Sequence, residues 1–187
     1  MRFTKLRALM SLLGLAALIW TACNGAPAPT LIGVRTGTEG VGTATQLGAQ
    51  RITLQDNSTA KLSDYAGKVV VLDFWATYCP PCVAATPDFE TLHKQYAAQG
   101  LQILGINVGG PDDRAEVPKF LTAHNLTYPI AYPADDYLGA YYMGQDDRIP
   151  QTLVYDRQGK LLKHVVGYND KIKQELAATI QNALAAK

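Results

Sequence analysis

Two of the three cysteines, Cys79 and Cys82, stand three positions apart in a Cys-Pro-Pro-Cys sequence. Residues at this spacing lie on the same side of a helical turn, close enough for their sulfur atoms to form a disulfide. A nearly continuous apolar run at residues 69–74 precedes the pair, and two prolines mark the start of a helix. The pattern therefore predicts a thiol pair between a buried strand and a helix, where it could perform thiol–disulfide exchange.

The two cysteines are expected to have different roles. If Cys79 is the N-cap residue, Pro80 and Pro81 occupy the first helical positions, where a missing N–H group costs nothing. The Cys79 sulfur would then meet free backbone N–H groups and the positive end of the helix dipole, which favour the thiolate. Because Cys82 lies one turn further in and is more shielded, we expect Cys79 to attack and Cys82 to resolve the mixed disulfide.

A structural disulfide and half of a metal site are the alternatives for this cysteine pair. A four-cysteine zinc site is excluded because the chain has three cysteines. His93, His124 and His164 lack the HxxxH or CxxH spacing that would complete a mixed site. We therefore predict redox chemistry, with no metal and with no cofactor other than the disulfide between Cys79 and Cys82.

The elements that must position the pair alternate between strands and helices. Apolar patterns predict strands at residues 51–54, 69–74, 101–108, 128–132, 151–156 and 161–166. Helices are predicted at residues 80–99, 113–124, 136–143 and 170–186, with Asp170 as the cap of the last one. This order predicts an α/β fold with a central mixed sheet. The acidic pair Asp112-Asp113 is expected to be a helix cap or a solvated turn rather than a calcium site.

The composition limits the possible classes of protein. The chain has 187 residues, of which 48% are hydrophobic and 18% are charged. These values exclude a mainly disordered, collagenous or multi-pass membrane protein. A net charge of +1 gives no reason to expect nucleic-acid binding.

The N-terminal part of the chain predicts export. Residues 1–22 have a basic start and an apolar stretch too short to span a membrane, as in a secretory signal. Thr21-Ala22-Cys23 resembles the lipobox of bacterial lipoproteins, although Trp20 stands where that motif usually has leucine. We predict a lipid on Cys23, a tether at residues 23–46, a folded domain at residues 47–187, and a location at the cell membrane or in the periplasm. An ordinary cleaved signal is the alternative.

Residues 71–82, VLDFWATYCPPC, resemble the active-site segment of the thioredoxin superfamily, and specifically of the TlpA/ResA-like membrane-tethered thiol:disulfide oxidoreductases. The chain matches further parts of the family pattern at residues 63–68, at Pro87, and at residues 149–152 and 157–160. The resemblance implies a thioredoxin-like fold, with helices on both faces of the sheet and an N-terminal strand or hairpin extension. It also implies protein thiols and disulfides as substrates and a membrane electron donor of the thioredoxin-reducing type.

The resemblance further implies roles for individual residues. It supports the nucleophilic role of Cys79 and the resolving role of Cys82, and it places a cis peptide bond before Pro150. A trans proline that opens the following strand is the alternative. The residues expected to contact the substrate are Trp75, Tyr78, Pro80, Ile149 and Pro150.

Asp73 is the one acidic residue in the apolar run before the cysteines. If it is buried, its pKa should be raised, because an apolar environment disfavours the charged form. It matches the buried acid of thioredoxins, which exchanges a proton with the inner cysteine. The alternative places it in water at the end of the strand. Ala85 stands where the family usually has glutamate, which counts against a specialised haem-ligation role and leaves Asp73 as the nearby acid.

Two other functions on the same fold are possible alternatives. A peroxiredoxin-like thiol peroxidase would use a PxxxTxxC motif, of which only Thr77 is present. A non-enzymatic copper-binding assembly factor would use CxxxC together with a distant histidine. The two-residue spacing between Cys79 and Cys82 favours disulfide exchange over both.

Overall fold

The computed structural model of the chain describes residues 51–133 and 146–186, apart from the side chain of Leu62. The predicted signal, the tether with Cys23 and the helix predicted at residues 136–143 lie outside these residues. Those expectations remain predictions.

Seven strands of the described residues form one mixed sheet in the order β2-β1-β5-β4-β3-β6-β7. They are β1 (Arg51–Leu54), β2 (Thr59–Lys61), β3 (Val69–Trp75), β4 (Leu101–Asn107), β5 (Ile130–Pro133), β6 (Gln151–Tyr155) and β7 (Leu161–Val166). β3 pairs in parallel with β4 and antiparallel with β6. β1 and β2 form the expected N-terminal hairpin. The α/β class with a central mixed sheet is therefore confirmed.

Three α-helices accompany the sheet within the described ranges. They are α1 (Pro80–Tyr96), α2 (Gly110–His124) and α3 (Asp170–Ala185), and short 3-10 helices cover Leu62–Tyr65 and Ala97–Gln99. None of these helices has both the length and the hydrophobicity of a membrane span. α1 follows β3, and α2 follows β4, so each joins two parallel neighbouring strands.

The central strand, β3, is buried along its whole length, which explains its unbroken apolar sequence. Because side chains alternate between the faces of a strand, Val69 and Val71 pack in one core cluster, and Val70 and Leu72 pack in another. All three α-helices contribute to the first cluster. Tyr65 of the 3-10 helix Leu62–Tyr65 packs against the second cluster, so a helical segment lies on each face of the sheet.

Two helix starts differ from the sequence prediction. The cap of α3 is Asn169 and not Asp170, because Asn169 has extended backbone angles and its Oδ1 accepts a hydrogen bond from the Ile172 N–H at 2.9 Å. Asp170 is the first helical residue instead. α2 begins at Gly110, three residues before its predicted start, and includes Pro111 in its first turn, where proline is well tolerated.

The cap assignment predicts a difference between two neighbouring substitutions. Asn169→Ala should destabilise the fold by about 1 kcal/mol, because the Ile172 N–H loses its acceptor. Asp170→Ala should cost less, since it removes only a favourable charge near the start of the helix. Urea denaturation of both variants measures this difference, and an equal or larger loss for Asp170→Ala would contradict the cap assignment.

Candidate active site

The two cysteines lie where β3 gives way to α1. Cys79 is the N-cap residue of α1, and its Sγ accepts a hydrogen bond from the Cys82 N–H at 3.3 Å. Pro80 and Pro81 occupy the first two helical positions, as predicted. The two sulfur atoms form a disulfide with an S–S distance of 2.08 Å. The expected pairing and the expected helix-end position are both confirmed.

The disulfide is nearly buried, but its immediate surroundings are exposed. Cys79 is 6% exposed and Cys82 is 2% exposed, so the two residues differ little in accessibility. The difference in their expected roles therefore depends on the helix end, where only Cys79 holds the capping position. Tyr78 is 67% exposed, and Pro80 is also at the surface.

A second segment reaches the disulfide from β6. The Ile149–Pro150 peptide bond is cis, as predicted. The carbonyl oxygen of Ile149 lies 3.7 Å from the Cys79 Sγ. The Pro150 carbonyl accepts a hydrogen bond from the Gly167 N–H at 2.8 Å, which ties this loop to the end of β7.

The side chain of Gln151 holds the loop that precedes β6 through hydrogen bonds to its backbone. It is buried, and its amide Nε2 donates to the carbonyl oxygens of Asp146 at 2.8 Å and Arg148 at 3.0 Å. Its Oε1 lies 2.9 Å from Nε2 of His164 on β7. Because an amide oxygen can only accept, the His164 Nε2 carries the proton of this hydrogen bond.

Asp73 is buried within β3, with 3% of its surface exposed. Its Oδ1 atom has no hydrogen-bond partner among the described residues. Burial raises the pKa of Asp73 to about 8. These findings confirm the buried position and exclude the alternative of a solvated strand end. Its position along β3 places it on the face of Val71 and Trp75, whose core cluster includes both cysteines.

Two of the expected substrate-contact residues, Trp75 and Pro150, are buried in the structure. Trp75 is 2% exposed, and its ring packs on Phe120 of α2 with a centroid distance of 4.9 Å. The side chain is therefore part of the core and presents almost no surface to a substrate. Tyr78, Pro80 and Ile149 retain exposed surface beside the disulfide.

Asp113 is a site residue that the sequence analysis missed. It is 5% exposed rather than solvated, and it accepts hydrogen bonds from the N–H group of Thr77 at 3.1 Å and from the Thr77 hydroxyl. Asn107 Nδ2 donates to it at 2.5 Å. Its position after a strand parallel to β3 was the available signal, because the carboxyl ends of parallel neighbouring strands meet at one edge of a sheet. Within the described ranges, no three His, Cys, Asp or Glu side chains come together as metal ligands.

Curated relatives have names that match this arrangement. The chain is similar to thiol-disulfide oxidoreductase ResA from Geobacillus thermodenitrificans, with 40% identity over 62% of this chain and 66% of the relative. It is 31% identical to ResA from Bacillus subtilis over 64% of this chain and 65% of the relative. The chain thus covers slightly less than two thirds of the length of these relatives.

Solved structures show the same fold. A structure described as a candidate thiol:disulfide interchange protein DsbE from Chlorobium tepidum has a TM-score of 0.63 and 29% identity, over 72% of this chain and 92% of that chain. A thioredoxin family protein from Chlorobium tepidum TLS, a thiol:disulfide interchange protein, has a TM-score of 0.63 and 24% identity, over 73% of this chain and 95% of that chain. The thioredoxin-like fold is therefore confirmed.

The sequence profile of the AhpC/TSA family matches residues 45–164, which include the cysteine pair, the cis proline and most of the sheet. Since this match covers more than half of the chain and agrees with the thioredoxin-like structure, the chain belongs to the AhpC/TSA family.

Proposed function

We propose that the chain is an extracytoplasmic thiol:disulfide oxidoreductase that reduces disulfides in other proteins. The observation that carries this proposal is the Cys79–Cys82 disulfide at the start of α1, with the Ile149 carbonyl 3.7 Å from the Cys79 sulfur. The names of the curated relatives support the same reaction.

The reaction begins with the reduced pair. The Cys79 thiolate attacks one sulfur of a substrate disulfide, which forms a mixed disulfide and releases the other substrate sulfur as a thiolate. The Cys82 thiol then loses its proton and attacks the Cys79 sulfur. This step releases the second substrate thiol and forms the Cys79–Cys82 disulfide, so two electrons pass from the chain to its substrate. A membrane dithiol donor of the thioredoxin-reducing type then returns the pair to the dithiol state.

Asp73 is the proposed proton acceptor for Cys82. Its pKa of about 8 lies close to neutral pH, so the carboxyl group can both take up and return a proton. A carboxylate with an ordinary pKa of about 4 would be a weaker base and would take up the Cys82 proton less readily. Asp73 has this raised pKa because it is buried on the face of β3 that packs in the same core cluster as the cysteines.

The substrate is proposed to bind over the exposed residues around the disulfide. Tyr78 and Pro80 are exposed next to Cys79 in the chain, and Ile149, whose carbonyl lies 3.7 Å from the Cys79 sulfur, is partly exposed. Pro150 is buried and contributes the cis bond that presents Ile149. An extended substrate segment can pair with the backbone of Ile149, because backbone groups at such a loop act as a short strand edge. Trp75 supports this surface from within the core.

The proposed location follows from the N-terminal sequence. Residues 1–22 direct export, Cys23 receives a lipid after cleavage, and residues 23–46 connect the lipid to the folded domain. The anchored domain then works at the outer side of a cell membrane or in the periplasm, next to a membrane electron donor.

The direction of electron flow is tested by the reduction potential of the Cys79/Cys82 couple. A reductase should have a value near that of thioredoxin, about −270 mV, whereas an oxidant would lie near about −120 mV. Equilibration of the purified chain with glutathione or dithiothreitol buffers measures this value. A potential at the oxidising end would contradict the proposed direction.

The roles of the two cysteines predict different trapping behaviour. Cys82→Ser should accumulate a mixed disulfide with a substrate protein, because the resolving thiol is missing. Cys79→Ser should accumulate none, because the attacking thiol is missing. Non-reducing gels and mass spectrometry detect the adduct. Equal trapping by both variants would contradict the role assignment.

Substitution of Asp73 should change both stability and rate. Below about pH 4, the folded and unfolded chains both hold the Asp73 proton, so Asp73→Asn should have little advantage. Between about pH 4 and pH 8, the unfolded wild-type chain loses this proton while the folded chain keeps it. Wild-type stability should therefore fall relative to the variant by up to about 1.4 kcal/mol per pH unit, and the difference should level off above pH 8.

Chemical denaturation of the reduced proteins at several pH values measures this dependence. The same Asp73→Asn variant should exchange disulfides more slowly near neutral pH. Glu116→Gln, which removes an exposed carboxyl on α2, serves as the control and should show neither effect. A pH-independent stability difference together with an unchanged exchange rate would remove Asp73 from the mechanism.

The lipid anchor is tested by substitution of its attachment residue. Cys23→Ser should move the protein from the membrane fraction to the soluble exported fraction, because the acyl chains are lost. Fractionation of cells that express the two forms, with metabolic labelling by a fatty acid, measures the change. An unlabelled wild-type protein would support the ordinary cleaved signal instead.

A further inference from the structure

A buried carboxylate holds the loop that carries Cys79. This loop, residues 76–79, connects the end of β3 to the start of α1. Thr77 is its second residue, and both its N–H group, at 3.1 Å, and its hydroxyl group donate to the Asp113 carboxylate. Within the loop, the Cys79 N–H donates to the Ala76 carbonyl at 3.2 Å. Asp113 therefore fixes the loop two residues before the reactive sulfur.

The structure around Asp113 is built to keep this carboxylate in place. It lies in the first turn of α2, where the helix dipole stabilises a negative charge. Asn107 at the end of β4 donates a further hydrogen bond to it at 2.5 Å. These partners compensate for the burial of a charge that is only 5% exposed.

Gly109 leaves the space that the carboxylate occupies. A Cβ atom at this position would lie 2.5 Å from both the Cβ and the Cγ atoms of Asp113, which is closer than real side chains approach. The φ angle of Gly109 is −74°, so its backbone does not itself require glycine. Glycine is needed at this position because any side chain would collide with Asp113.

We propose that Asp113 is a positioning residue that, through Thr77, keeps the Cys79 sulfur at the N-terminus of α1. It touches neither the substrate nor the reacting sulfurs. It acts by holding the sulfur at the Cys82 N–H and at the positive end of the helix, the two features that favour the thiolate. This inference extends the proposed thiol chemistry and rests on it for its functional meaning.

The same kind of contact occurs elsewhere in the chain and provides a matched control. Glu90 on α1 is 6% exposed and accepts hydrogen bonds from the Thr127 N–H at 2.8 Å and the Thr127 hydroxyl at 2.6 Å. Burial alone would raise the pKa of Glu90, but these hydrogen bonds and the Lys94 ammonium at 3.0 Å lower it. Thr127 lies just before β5 and outside the cysteine loop. Loss of its hydroxyl reproduces the structural cost without touching the redox loop.

The experiment compares Thr77→Val with Thr127→Val in the full-length chain after reduction. Each variant keeps the side-chain shape and the backbone donor but removes one hydroxyl bond to a buried carboxylate. Iodoacetamide labelling from pH 5 to pH 10, read by tandem mass spectrometry, gives the pKa of Cys79 separately from that of Cys82. The wild-type value should lie below the free-thiol value of about 8.5.

Thr77→Val should raise the pKa of Cys79 by about half a unit or more, which is roughly a threefold loss in the ratio of thiolate to thiol. Thr127→Val should leave this pKa unchanged while lowering the melting temperature to a similar extent. Thr77→Ser, which restores the hydroxyl group, should return the wild-type profile. An unchanged Cys79 pKa in Thr77→Val, or equal shifts in both valine variants, would overturn the proposal.

Gly109→Ala tests the same contact from the other side. Its new Cβ atom must displace the Asp113 carboxylate, so the Cys79 pKa should rise although the loop sequence is intact. This variant decides the matter if Thr77→Val does not fold, and a wild-type profile in Gly109→Ala would then count against the proposal. The labelling measures a thiol pKa and not turnover, so a failure of the proposed oxidoreductase activity would be seen separately, in the trapping experiment.

Discussion

The in-register parallel pairing of β3 with β4 is the constraint on which the site depends. Val69 is opposite Leu101 and Trp75 is opposite Asn107, so the two strands end at the same level. The Val108 N–H donates to the Trp75 carbonyl at 2.9 Å and extends this pairing by one step. The segments that follow the two strands are therefore neighbours, and Asp113 can reach Thr77 across them. A shift of one residue along the strands would separate these contacts.

The antiparallel partner of β3 completes the arrangement. Phe74 is opposite Gln151, so the residues just before β6 arrive beside the end of β3. This register places Ile149 and the cis proline next to the Cys79 sulfur. The site is thus assembled from three strand ends, and the sheet rather than any single loop sets the distances between the cysteine pair, the carboxylate and the proline.

Much of this could be predicted from local patterns. The apolar run of β3 and the prolines after Cys79 are short-range signals, and the structure agrees with them. Asp73 could be recognised because an acid inside an apolar strand must have a raised pKa if it is buried. The cis bond before Pro150 was predicted from a family resemblance and could not be derived from composition or spacing.

The remaining features depend on contacts between distant parts of the chain. Asp113 looks like an ordinary residue in the first turn of a helix, and only the sheet register brings it to Thr77. Trp75 lies close in sequence to the cysteines, but it is the last residue of β3, and both faces of that strand are covered by the core. The cap of α3 was placed one residue too late because Asn169 and Asp170 are both suitable cap residues, and the backbone decides between them.

The low exposure of the disulfide also limits which reductants can use it. Cys79 and Cys82 are 6% and 2% exposed, while the groups around them, such as Tyr78, are open to solvent. A small thiol that diffuses freely gains nothing from those surroundings and must reach the sulfur unaided. A protein that binds the neighbouring surface can align its own thiolate with the disulfide, because binding raises the effective concentration of that thiolate. For the proposed function, this burial favours exchange with a docked protein over exchange with a small thiol.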